Sequence, residues 1–154
     1  MNIIKTSALA AIAGLAIAAG ASAAAPTPTF PTFAGRPSKG NPVAKPGEIV
    51  YSGDGSHLFA GAKGNRKIGK IHWTTWNSTE GLAAANNWIN NCSPSCANGK
   101  FTLYPVTLKA TAPKKEGKYF IFTRLKVTYT GKQSGPAKTF TWKISYSHGF
   151  FEIG

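Results

Sequence analysis

The side chains able to move a proton or attack a substrate are few. Three histidines (His57, His72, His148) and five acids (Glu48, Asp54, Glu80, Glu116, Glu152) share the chain with 18 lysines and arginines. Asp54, Ser56 and His57 are the residue types of a hydrolytic triad. They crowd into one Gly-rich turn, where neighbouring side chains are expected to point apart, and the chain has no G-x-S-x-G elbow to expose a nucleophile. Capping the backbone is the duty such a turn asks of Asp54 and Ser56. His72, Glu80, Arg124 and His148 form the better set. They supply a proton shuttle and a guanidinium for phosphate, the parts of a small nuclease, provided that a fold joins them. Cys92 and Cys96 flank Ser93-Pro94-Ser95, a turn-forming trio that lets the two thiols meet. A zinc site would need a second Cys or His pair nearby, and a redox pair is spaced C-x-x-C, one residue tighter. The pair reads as a structural disulfide, and neither a metal nor a cofactor is expected.

Cations dominate the remaining chemistry. The formal net charge is +13, and a balance so basic favours anionic partners through contacts that salt screens. Lys109, Arg124, Lys126 and Lys143 fall in the polar phase of alternating segments, so a folded sheet would show all four on one face. Lys114, Lys115 and Lys118 belong to a hairpin tip, as do Lys132 and Lys138 further on. These residues are the candidate binding surface for an anionic polymer: envelope polysaccharide, lipid head groups or nucleic acid. A surface that is charged only for solubility is the plainer alternative.

The elements that must carry these residues are strands. Between Phe101 and Ile153, apolar and polar residues alternate through Val106-Leu108-Ala110, Leu125-Val127-Tyr129 and Phe140-Trp142-Ile144-Tyr146, the period of a sheet with one buried face. The apolar phase slips between Leu103 and Val106, which with Pro105 predicts a bulge or an edge position. Phe120 and Phe122 stand in the outward phase and should meet a second layer. Upstream, Glu48–Tyr51 and His57–Ala60 read as a hairpin around the Ser52–Ser56 turn. Ile68–Trp76 reads as a strand burying Ile71 and Trp73, with His72, Thr74 and Trp76 opposite. Over 77–91, Asn77 with Glu80 resembles a helix-capping pair and Ala83-Ala84-Ala85 favours helix. Gly81 and four asparagines resist it, so the stretch reads as a loop or one helical turn leading into a short strand at Trp88-Ile89. Six or seven short strands with Gly/Pro turns predict an all-β domain, a small antiparallel sandwich or barrel.

Residues 1–23 read as a secretory signal peptide. Lys5 supplies the positive region, Ala8–Ala19 the apolar core and Ala21-Ser22-Ala23 the cleavage site, with Ala23-Ala24-Ala25 as second choice. The segment is too short and too Ala-rich for a stable span of about 20 strongly apolar residues, so the mature chain is expected to be exported with no transmembrane segment. Residues 24–47 hold six of the ten prolines together with Arg36, Lys39 and Lys45, the composition of a semi-rigid linker. That linker is either a plain spacer or a basic arm, and 48–154 is the single β domain.

Y-S-G-D-G-S (51–56), W-T-T-W-N (73–77), N-N-C-S-P-S-C-A-N-G (90–99), Y-P-V-T-L (104–108) and F-T-R-L-K-V-T-Y-T (122–130) together resemble a family of small secreted proteins from actinobacteria, over about residues 48–148. Ala83–Ala85 departs from the glycine pattern that precedes the first cysteine in that family. The resemblance implies a secreted β-domain and carries no activity, cofactor or partner with it. The expected function is therefore a non-catalytic protein of the cell envelope or extracellular medium that binds an anionic polymer. The alternatives are the secreted nuclease and an inhibitor that presents the Cys92–Cys96 loop to a partner protein.

Overall fold

A computed structural model describes residues 24–32, 42–64, 67–133 and 135–154. Residues 1–23, expected to be a signal peptide, and the cations Arg36 and Lys39 lie outside the described residues. The strands are β1 (Ile49–Val50), β2 (His57–Ala60), β3 (Lys63–Gly64), β4 (Lys67–Ile68) and β5 (His72–Trp76), followed by β6 (Gly81–Asn90) and β7 (Phe101–Glu116). The chain closes with β8 (Tyr119–Tyr129), β9 (Thr139–Ser147) and β10 (Phe150–Ile153). There is no helix among the described residues.

Eight strands make one antiparallel sheet in the order β1-β2-β6-β7-β8-β9-β10, with β5 paired to β6 beyond the end of β2, while β3 and β4 form a separate ribbon. The sheet is a curled half-barrel rather than a sandwich. Its curl shows in the rings: Trp142 on β9 lies 5.4 Å from Phe59 on β2 and 4.7 Å from Tyr51, although β6, β7 and β8 intervene in the ladder.

Alternation assigns every position of the central strands to one of two faces. Ala83, Ala85, Val106, Leu108, Leu125, Val127 and Ile144 point inward and are buried with Phe59 and Phe151. At the β2 end of the outer face a smaller cluster of Leu58, Ala60 and Trp88 packs against Val50 and Leu103. Two faces with two clusters account for the slip seen at Tyr104-Pro105. The β6–β7 register runs unbroken from Gly81↔Ala110 to Asn90↔Phe101, and no bulge occurs there. Leu103 belongs to the outer cluster and Val106 to the inner one. Pro105 sits just beyond the last β7–β8 rung, where its carbonyl accepts the Thr130 amide at 3.0 Å.

Residues 77–91 differ most from expectation: they form a turn and then a ten-residue strand in the middle of the sheet. The capping chemistry of Asn77 is real but closes a hairpin. Its Oδ1 accepts the Thr79 and Glu80 amides, each at 2.9 Å, and so turns β5 into β6. The alanines are strand residues because of what lies above them. Gly81 has the Trp76 and Trp73 rings over it, such that a Cβ there would fall 2.7 Å from the Trp76 ring. A register shift between Trp73 and Thr75 puts both indoles on the inner side, where sequence alternation alone had set Trp76 opposite Trp73.

Residues 24–32 and 42–47 also depart from the linker reading. Phe30 is 0% exposed at the centre of the main cluster, and Pro28 and Pro46 are fully buried. Thr29 pairs with β8 through its amide to Phe120 (2.9 Å) and its carbonyl from Phe122 (3.1 Å). The Trp76 and Trp73 Nε1 groups donate to the Pro28 and Pro46 carbonyls at 2.9 and 2.8 Å. Proline suits a segment that accepts these bonds without joining a ladder of its own. This strap and the Trp76 ring, 5.2 Å from Phe122, form the layer that buries Phe122.

Phe30→Ala should destabilise the protein by about 3–5 kcal/mol in urea unfolding, the cost of removing a fully buried ring. A spacer residue would cost less than about 0.5 kcal/mol.

Candidate anion-binding face

The outer positions of β6 to β9 line up in rows across the sheet. Leu82, Lys109, Lys126 and Thr141 face one another in turn. Ala84, Thr107, Thr128 and Thr139 form the adjacent row, and Thr111, Arg124 and Lys143 the row on the other side. Lys109, Arg124, Lys126 and Lys143 are all exposed. Lys126 is thus directly opposite Lys109, and Lys143 directly opposite Arg124, at the cross-strand spacing of about 4.5–5.5 Å between Cβ atoms. Like charges so placed repel. Lys109 has one acid, Glu80, at 3.0 Å; among the described residues no ion pair joins Arg124, Lys126 or Lys143 to an acid.

Beside Lys109 and Lys126 the face sinks into an open hollow of about 490 Å³. Leu82 and Ala84 are part of its lining, and the hydroxyls of Thr74, Thr107 and Thr128 stand around it. The threonines were legible as the outward phase of the strands. Ala84 was not, because the hollow exists only once β6 is recognised as a strand.

The hairpin-tip cations lie apart from this face. Lys114 pairs with Glu116 at 2.9 Å, and that ammonium holds the Glu116 carboxyl below its ordinary value. Lys118 sits 5.2 Å above the Tyr119 ring, and Lys115 is exposed opposite Phe120. Lys132 and Lys138 are exposed in the β8–β9 connection.

The residue types of a nuclease do not converge. His72 is exposed opposite Ala84, and Glu80 is engaged by Lys109. Arg124 belongs to the third outer row. His148, with φ +50° and followed by Gly149 at +87°, forms the two-residue turn between β9 and β10 at the other edge of the sheet. Among the described residues no hydrogen bond or ion pair joins any two of the four.

The Ser52–Ser56 turn is closer to a constellation than its sequence suggests, since Ser56 Oγ lies 2.7 Å from His57 Nδ1. Ser56 is only 5% exposed, however, and Asp54 accepts the Ser56 amide at 2.9 Å instead of orienting the imidazole. The Ser56 hydroxyl first, then its amide and the Ser52 hydroxyl, make Asp54 a stronger acid, with its pKa lowered to about 2. Asp54 also comes within 3.5 Å of the Cys96 sulfur. Cys92 and Cys96 are joined in a disulfide, so the three residues hold no thiolate for a metal. Under the sheet, Asn87, 2% exposed, accepts from the Tyr51 hydroxyl and donates to the Tyr129 oxygen at 2.8 Å. Burial raises the Tyr51 pKa above its ordinary range and keeps that donor protonated.

No family model, curated protein or solved structure matches this chain.

Replacing Cys92 and Cys96 by serine should cost about 2 kcal/mol in chemical denaturation, the loop-entropy value for so small a ring. A loss several times larger would mean that the loop organises more than itself. Because the folded Asp54 carboxyl is more acidic than its ordinary value of 3.8, the turn is stabilised above that pH and weakens as the pH falls from there towards 2. An NMR titration should place the Asp54 midpoint near 2, and Asp54→Asn should shrink the acid-induced loss of stability. A midpoint at the ordinary value would remove the capping role.

Proposed function

We propose that the chain is an exported, non-catalytic protein of the cell envelope or extracellular medium that binds an anionic polymer through the outer face of β7, β8 and β9. One observation carries this reading: two like-charge pairs, Lys109 with Lys126 and Arg124 with Lys143, lie side by side on that face, and among the described residues Lys109 alone of the four is ion-paired, with Glu80. Directly opposed like charges cost stability. A polyanion laid across them removes that repulsion and releases its own counterions. Solubility alone is served as well by cations placed apart. The overall charge of +13 acts in the same direction by drawing anions to the molecule.

Retention on immobilised heparin and on a teichoic-type phosphate polymer tests the reading. The protein should elute at a salt concentration that falls sharply in Lys126→Glu with Lys143→Glu, and the slope of log affinity against log salt should drop by about 2 or more. Lys114→Glu with Lys118→Glu, at the hairpin tip, should have the smaller effect. Absence of retention, or equal loss from both double variants, would contradict it.

A further inference from the structure

We infer that the hollow beside Lys109 and Lys126 takes the charged substituent of a carbohydrate unit, so that the polymer is an anionic polysaccharide rather than a nucleic acid. The inference rests on the proposed role of the outer face and specifies what that face selects. Lys109 and Lys126 are direct cross-strand neighbours, so one compact anion, a sulfate or a carboxylate, is held between the two ammonium groups once it takes the place of Glu80 on Lys109. Around that point the structure offers hydroxyls. Thr107 and Thr128 face each other in the next row, and Thr74 enters from the bulge in β5. Ala84 opposite Thr107 keeps the space open, and Leu82 opposite Lys109 gives it an apolar side. A volume of about 490 Å³ is in the range of small-ligand sites, so it admits a substituted sugar ring rather than an ion alone.

The same surface lacks what single-stranded nucleic acid needs. Unpaired bases are held by stacking on exposed aromatic rings. Trp73, Trp76 and Trp142 pack against the inner cluster, and Trp88 is 3% exposed in the outer cluster at the far end of β6. No tryptophan ring therefore lies beside the four cations. The Thr107 and Thr128 hydroxyls beside a cation pair, with Thr74, whose own proton goes to the Leu82 carbonyl, as an acceptor, match the hydroxyl-rich, regularly charged surface of a polysaccharide.

The test is isothermal titration of the full mature chain, disulfide intact, at fixed ionic strength. Three probes carry equal charge: a heparin-derived oligosaccharide, an oligogalacturonate and a single-stranded DNA. Ala84→Leu fills the hollow, and Thr107→Val with Thr128→Val removes two of its three hydroxyls without changing its shape. Each should weaken binding of at least one saccharide by about 5-fold or more, roughly the loss of one good hydrogen bond, and leave the salt slope and the DNA affinity unchanged. A response of the heparin oligosaccharide alone identifies the group as sulfate, and a response of the oligogalacturonate, which carries carboxylates only, identifies it as carboxylate. The threonine pair is the control against misfolding of Ala84→Leu, since it swaps near-isosteric side chains at strand positions. Unchanged saccharide affinity in both, with loss in Lys126→Glu plus Lys143→Glu, would overturn the hollow as a site and leave the polyanion reading intact. DNA binding tighter than either saccharide would also overturn it. A wild-type chain that binds none of the three would sink both.

Discussion

The inner side of β6 presents Gly81, Ala83 and Ala85, and the indoles of Trp73 and Trp76 occupy the room that the glycine leaves. That trade between narrow strand and wide ring lets an eight-stranded sheet curl without a second sheet to pack against. Interiors close-pack, so a large side chain at Gly81 would have to displace an indole. Further along the same strand Asn87 replaces the small residues and ties Tyr51 to Tyr129 through two hydrogen bonds. An Asn so deeply buried is tolerated because both ends of its amide are used. The pair of bonds also fixes how β1 and β8 approach across the curl.

With Trp73, Trp76 and Trp142 packed against the inside, the outer face keeps a tryptophan at the β2 end alone, where Trp88 has its own small cluster. The middle of that face is left to threonine and to Lys109, Arg124, Lys126 and Lys143. Separation of apolar and charged side chains is therefore a consequence of the curl. Gathering the cations into opposed pairs is not, because any register that kept the inner face would permit acids opposite lysines. The strap completes the inner side: Phe30 enters the core and the carbonyls of Pro28 and Pro46 accept the indole N–H groups that would otherwise be orphaned.

Much of this was legible in the sequence, and the exceptions share a cause. Alternation in 101–111, 119–130 and 139–146 was enough to place the four cations on one face, because a period of two leaves no other arrangement. The Cys92–Cys96 disulfide and the all-β class followed from short-range spacing. β6 was legible only at Trp88-Ile89, because Gly, Ala and Asn have poor intrinsic strand preference, and only the rings packed above Gly81 make so small a residue the right one. Trp76 was set on the wrong face because a bulge at Thr74 has no sequence signature here. The strap read as a linker because proline content describes the backbone and says nothing of whether Phe30 between the prolines is buried. Each error arose where long-range packing overrode a local pattern. The hollow needed β6 and so was lost with it.

Lysine-reactivity footprinting by mass spectrometry, with and without a heparin-derived oligosaccharide, tests the opposed cation pairs most directly. The account predicts that Lys109, Lys126 and Lys143 become protected on binding while Lys70, Lys100 and Lys132, exposed elsewhere on the surface, react as before. Protection spread evenly over all lysines, or confined to the hairpin tip at Lys114, Lys115 and Lys118, would contradict it.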